Sequence, residues 1–107
     1  MSAIVLSLIN SVPVQNWTFL SENIIRIGRA TDNHVVLFSA VVSRHHAELR
    51  WSEISGWEIF NLSANGTYVD GEAIKTVAVA DGMIIRLATS GPKIQIKSDV
   101  ESEKLKC

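Results

Sequence analysis

The chain has a single cysteine among its 107 residues, Cys107 at the last position. An intramolecular disulfide framework is therefore excluded, and a reducing, cytoplasmic setting is the natural expectation. There is no basic surplus either: the formal net charge is -1, which removes the general attraction to nucleic acid that a cationic domain shows. Long apolar runs are missing. The opening stretch Ala3-Ile4-Val5-Leu6-Ser7-Leu8-Ile9 is too short to span a bilayer and has no lysine or arginine before it, so neither a membrane span nor a secretory signal is expected. Helical periodicity is lacking as well, since no extended stretch repeats apolar residues at i, i+3, i+4 and i+7 between caps. Also absent are the Gly-x-x-x-x-Gly-Lys-Ser/Thr loop that cradles nucleotide phosphates and the Gly-x-Ser-x-Gly turn that presents a serine nucleophile.

What remains is a chain of strands. Apolar residues make up 47% and charged residues 20%, the balance of a folded globular chain, and the length suits one domain, since roughly 60 residues already suffice. The expected strands are Ala3 to Ile9, Trp17 to Leu20, Ile24 to Ile27, Val35 to Leu37, Ala47 to Trp51, Trp57 to Asn61, Tyr68 to Val69, Glu72 to Ile74, Met83 to Leu87 and Lys93 to Lys97. Alternation supports them: Ala47, Leu49 and Trp51 share one face, Glu48 and Arg50 the other. Ser52 to Gly56 has the length of a hairpin loop with glycine at a positive-φ position, and Asp70-Gly71 is a two-residue turn. Short strands with turn signals every few residues predict an all-β sandwich or barrel. Residues 1–97 form the domain and 98–107 a polar tail. An initiating Met1 and so short a tail are the pattern of a domain that stands alone. The three tryptophans fall in or beside strands and are expected to pack the core.

Three loops carry polar residues out of keeping with a core. Gly28-Arg29 ends one strand, Ser43-Arg44-His45-His46 leads into another, and Asn65-Gly66-Thr67 opens a third. A guanidinium grips phosphate through parallel hydrogen bonds as lysine cannot. Two arginines and a hydroxyl match a phosphomonoester, which carries nearly two charges above its second pKa of about 6. Asn65 can both donate to and accept from a peptide backbone, although Asn-Gly is also simply a strong turn dipeptide. His34, His45 and His46 raise the question of a metal. Adjacent His45 and His46 would point to opposite faces of a strand, so they cannot readily share one ion, and no metal or other cofactor is expected. His46 is better read as a partly buried ring that bonds backbone and shapes its loop. Ser43 and His46 could also be cast as nucleophile and base, but an orienting carboxylate and an oxyanion hole are not evident.

Through these three motifs in this order, the chain resembles the forkhead-associated (FHA) domain, whose pattern is Gly-Arg, Ser-Arg-x-His and Asn-Gly-Thr-x-Val-Asn-Gly. The match runs from about Ile4 to Ile96. The resemblance implies a sandwich of about eleven mostly antiparallel strands with its ligand site in the loops at one end. It implies a phosphothreonine-binding signalling adaptor, not an enzyme, whose partner is a protein phosphorylated by a Ser/Thr kinase, with no nucleic acid or membrane involved and the chain monomeric. Residue by residue, Arg29, Ser43 and Arg44 take the phosphate, Asn65 the peptide backbone, and Gly28, His46 and Gly66 structural roles. The loop at Ala40, Val41 and Val42, together with Ala64, is expected to read the neighbouring ligand residues, with an aliphatic preference. Two departures stand out. Ala64 occupies a position where a hydroxyl is expected, which predicts a lost ligand contact, and Asp70 replaces the common asparagine. A rival reading is a phosphorylation-independent scaffold that recruits a partner through a sheet face or edge.

Overall fold

A strand sends alternate side chains to opposite faces, and six pairs of residues spaced two apart are all buried: Ile4 with Leu6, Ile25 with Ile27, Ala47 with Leu49, Trp57 with Ile59, Ile85 with Leu87, and Ile94 with Ile96. These pairs are the inner faces of two sheets. The computed structural model describes residues 3–98. It contains β1 (Ile4–Leu8), β2 (Asn16–Phe19), β3 (Ile24–Gly28), β4 (Val35–Val36), β5 (Ala47–Ser52), β6 (Gly56–Asn61), β7 (Thr67–Val69), β8 (Glu72–Ile74), β9 (Thr76–Ala78), β10 (Met83–Leu87) and β11 (Lys93–Ser98). One sheet has six strands in the order β2-β1-β11-β10-β7-β8, the other five in the order β4-β3-β5-β6-β9. No helix occurs among the described residues. The expected all-β sandwich of about eleven mostly antiparallel strands is thus present, with β3 and β4 pairing in parallel.

Ten of the strands coincide with expectation to within a residue or two. β9 was not anticipated. Only Lys75 separates it from β8, yet β8 belongs to the six-stranded sheet and β9 to the five-stranded one. The chain changes sheets there without a turn residue to announce it. The hairpins are as read: Trp51 pairs with Trp57 and Ser52 with Gly56, Gly56 has φ 72°, and Asp70 and Gly71 have φ 52° and 82°. Both centres of that second turn are left-handed, as a two-residue hairpin requires. Trp57 is buried, while Trp17 and Trp51 pack half-buried against the core. Ser98 pairs with Ile4 at the end of β11, and residues 99–107, the rest of the expected tail including Cys107, lie outside the described residues.

Strand direction decides what gathers at each end. β3 ends at Gly28, β5 begins at Ala47 and β7 begins at Thr67. The three polar loops therefore emerge together, joined by the β10–β11 turn, where the Ala88 N–H donates to the Gly66 carbonyl at 2.8 Å.

Ile59 is fully buried between Leu49 and Val77, its neighbours across β5 and β9. Ile59→Ala is expected to lower stability by about 2–5 kcal/mol in urea unfolding. Ile54→Ala, in the hairpin loop at 98% exposure, should stay within about 0.5 kcal/mol of the parent. Equal effects would contradict this layering.

Candidate functional site

His46 is the only histidine among the described residues that is completely buried, at 0% exposure, and both of its ring nitrogens are used. Nδ1 accepts the Ser43 N–H at 3.0 Å, and Nε2–H donates to the Gly66 carbonyl at 2.8 Å. The ring is therefore a neutral imidazole with its proton on Nε2. Its own backbone extends the tie, the N–H to the Ile27 carbonyl and the carbonyl from the Leu62 N–H, both at 2.9 Å. One residue thus joins the end of β3, the loop before β5 and the loop before β7.

Gly28 is structural through space. A Cβ there would lie 2.1 Å from the Arg44 carbonyl oxygen, so only glycine lets the Arg44 backbone come so close. That carbonyl takes the Ala30 N–H at 3.1 Å and Asn33 Nδ2 at 2.8 Å. Arg29 leaves the strand next. Its N–H donates to the Ser43 carbonyl at 2.9 Å, and its Nε to the Val42 carbonyl at 3.0 Å. The stem of the guanidinium is thereby fixed while its two terminal nitrogens make no bond among the described residues. Arg44 is exposed, and neither arginine has a carboxylate partner among the described residues, in contrast to Arg26 and Arg50, which share Glu48.

The Ser43 hydroxyl meets the Ser63 hydroxyl at 2.5 Å. Ser63 Oγ also accepts the Asn65 N–H at 3.0 Å. When Ser63 donates within the pair, the Ser43 hydrogen is free to point outward. Asn65 is exposed, and its Nδ2 donates to the Val41 carbonyl at 2.9 Å, which leaves its carbonyl oxygen open and bridges two of the loops. Gly66 has φ 86°, and a Cβ on it would reach within 2.9 Å of the Tyr68 ring. The left-handed backbone favours glycine there, and the Tyr68 ring packs close over it.

Arg29, Ser43, Arg44 and Asn65 thus lie on the loops tied together by His46. One expectation needs correction. Val42 is turned into the core at 1% exposure, so its side chain cannot read a ligand, and its contribution is the carbonyl that holds Arg29. The exposed residues of that loop are instead Ala40 and Phe38, the latter at 80% exposure, with Val41 half-buried. Ala64 is exposed, and the neighbouring hydroxyl, that of Ser63, is buried and engaged with Ser43 and Asn65.

Sequence reasoning also passed over Asn61, Thr67 and Asn33. Asn61 clasps the β6–β7 loop, donating from Nδ2 to the Ser63 carbonyl and accepting through Oδ1 the Ser63 N–H and the hydroxyl of buried Thr67. The alternation Asn61, Ser63, Asn65 was a visible signal. Asn33 Nδ2 bridges the Ala30 and Arg44 carbonyls. His45 pairs with Asp32 at 3.1 Å on the surface, and His34 Nδ1 accepts the Arg26 N–H, so the three histidines serve three separate places.

Burial lowers the pKa of His46 from 6.5, with the Gly66 carbonyl pulling the other way; the Ser43 N–H needs a bare Nδ1 and favours the neutral ring in the same sense as burial. As pH falls through 6.5 the unfolded chain takes up its proton first. The stability tied to neutral His46 is therefore complete above that pH. It declines below it by up to about 1.4 kcal/mol per pH unit until the folded ring titrates as well. Urea midpoints between about pH 7.5 and 5.5 are expected to show the decline in the parent and in His45→Gln, and a flatter profile in His46→Gln. An unchanged slope in His46→Gln would contradict the assignment.

A model of the FHA domain family matches residues 25–88, the stretch that holds all the loops just described. An ABC transporter ATP-binding/permease protein of Mycobacterium tuberculosis is 39% identical over 69 residues, covering 64% of this chain, and the chain spans 8% of that protein's length. A solved FHA domain from work on phosphothreonine-dependent FHA domain interactions superposes with a TM-score of 0.77 at 30% identity, covering 89% of this chain and 95% of the other. Mycobacterium tuberculosis EmbR, solved in complex with a low-affinity phosphopeptide, superposes with a TM-score of 0.71 at 33% identity, covering 87% of this chain and 24% of EmbR. The chain belongs to the FHA domain family.

Proposed function

We propose that this domain binds extended, phosphothreonine-bearing segments of partner proteins and acts as a signalling adaptor. The observation that carries the reading is the pair of guanidiniums, Arg29 and Arg44, on His46-tied loops beside the Ser43 hydroxyl and without a carboxylate partner among the described residues. In this reading Arg29 and Arg44 hold the phosphate, the outward Ser43 hydrogen adds a donor, and Asn65 fixes the peptide main chain. Arg29 is already oriented through its Nε bond, so little side-chain freedom remains to be lost on binding. The phosphothreonine-dependent and phosphopeptide-bound relatives named above support it.

The domain acts by binding and is not an enzyme. Both nitrogens of His46 are committed to backbone groups, which leaves Ser43 Oγ without a base. Its place is the cytoplasm, in keeping with the single cysteine and with the lack, among the described residues, of a helix long and apolar enough to cross a membrane. Side-chain readout next to the phosphothreonine falls to the exposed part of the loop before β5, Phe38 and Ala40 with Val41, and to Ala64.

Fluorescence titration with matched peptides tests the reading. The phosphothreonine peptide is expected to bind, the unphosphorylated one not. Phosphoserine should be weaker by about fourfold from the loss of one methyl contact alone. Arg29→Ala should weaken binding by roughly 10- to 150-fold, the equivalent of one charge-assisted hydrogen bond, with the fold intact by circular dichroism. Equal affinity for the unphosphorylated peptide would end the proposal.

A further inference from the structure

The two outer faces of the sandwich handle charge differently. On the five-stranded sheet the cations are neutralised in place: Arg26 and Arg50 share Glu48 at 3.5 and 2.9 Å, and the Arg50 guanidinium lies 4.0 Å above the Phe60 ring. On the six-stranded sheet the outward positions of β7, β10 and β11 are Tyr68, Ile84, Arg86, Lys93, Gln95 and Lys97, which include three cations and no acid. None of those cations has a carboxylate partner among the described residues. Arg86 pairs across the strands with Tyr68 on one side and Lys93 on the other. Around this row the twisted sheet forms a groove of about 440 Å³. Its floor includes Ile84, 42% exposed, and Asp70 lies in its wall without an ion pair to either cation.

This groove adjoins the candidate phosphate site. The Tyr68 ring lies against Gly66, 2.9 Å from where a Cβ would stand, and Gly66 follows Asn65. At the same end Arg86 Nε donates to the Gly91 carbonyl at 3.2 Å, so the guanidinium stem is held against the β10–β11 turn.

We propose that the groove on the outer face of the six-stranded sheet binds an acidic stretch of the same partner chain, on one side of its phosphothreonine. The inference rests on the phosphothreonine reading above. An extended peptide leaving Asn65 passes over Gly66 and Tyr68 and lays carboxylates against Arg86 and Lys93, with an aliphatic side chain on Ile84. At about 3.3 Å per residue along a strand and 4.8 Å between strands, the acids fall roughly four to seven residues from the phosphothreonine. The partner class is thereby narrowed to proteins in which a phosphothreonine is flanked by an acidic segment.

Anisotropy titrations of the whole chain with four phosphothreonine peptides test this: a short core, the core with a Glu-rich extension on its amino side, the same on its carboxyl side, and the core with Gln extensions. One acidic extension is expected to tighten binding about three- to tenfold at moderate salt, and the Gln extensions not at all. In the double variant Arg86→Gln with Lys93→Gln that gain is lost while the short core binds as in the parent. No gain from either acidic extension, or a gain that survives the double variant, overturns the inference. Should the short core itself fail to bind, the phosphothreonine reading falls separately. The groove is then tested by amide NMR with the unphosphorylated Glu-rich peptide alone: shifts clustered at Tyr68, Ile84, Arg86 and Lys93 support it, and shifts elsewhere or none overturn it.

Discussion

A buried imidazole with a backbone group on each nitrogen is the constraint on which the binding end depends. His46 accepts from the Ser43 N–H and donates to the Gly66 carbonyl, so the loop before β5 and the loop before β7 cannot shift independently. A charged ring would break the first bond, because both nitrogens would then be donors. Around this tie the other contacts fall into place. Ser63 links Ser43 to Asn65, Asn61 clasps Ser63 and Thr67, and Asn33 with Gly28 seats the Arg44 backbone. Nearly all of these are hydrogen bonds to backbone atoms or between short side chains, which hold a loop in shape at small entropic cost.

The rigid inner frame explains how a chain with net charge -1 can present a cationic site. Positive charge is concentrated by arginines that have no carboxylate partner among the described residues, while others nearby are ion-paired. Arg26 and Arg50 share Glu48, whereas neither Arg29 nor Arg44 has a carboxylate partner among the described residues. In the proposed reading, a phosphate arriving there meets the Arg29 guanidinium already held through its Nε and displaces no carboxylate of the described residues. The same separation of charge recurs on the six-stranded sheet, where Arg86, Lys93 and Lys97 face outward with no acid among them.

Most of the fold was legible because strand alternation and turn chemistry are local signals. Ala47-Glu48-Leu49-Arg50-Trp51 and Asp70-Gly71 declare face and turn without reference to anything distant. β9 escaped because a change of sheets across Lys75 leaves no local mark; its three residues are defined by pairing with β6. At the candidate site, residue type and motif order singled out Arg29, Ser43, Arg44 and Asn65, which the structure places on the His46-tied loops. The side-chain direction of Val42 was not, since a loop has no fixed period from which to infer which residue turns inward. Ser63 was missed for a related reason. Its hydroxyl reaches Ser43, twenty residues away in the chain, a contact no local pattern shows, and the family pattern drew attention to Ala64 instead. The cationic groove was invisible, because Tyr68, Arg86 and Lys93 are brought side by side only by sheet order.

His46 ties the candidate binding loops together in the ligand-free domain. The most direct measure of this tie is the scalar coupling across the hydrogen bond from the Ser43 amide nitrogen to His46 Nδ1, recorded by NMR on the free protein and again with saturating phosphothreonine peptide. A resolved coupling in the free protein that is unchanged on binding is expected. A coupling absent from the free protein and appearing only with the peptide would contradict it.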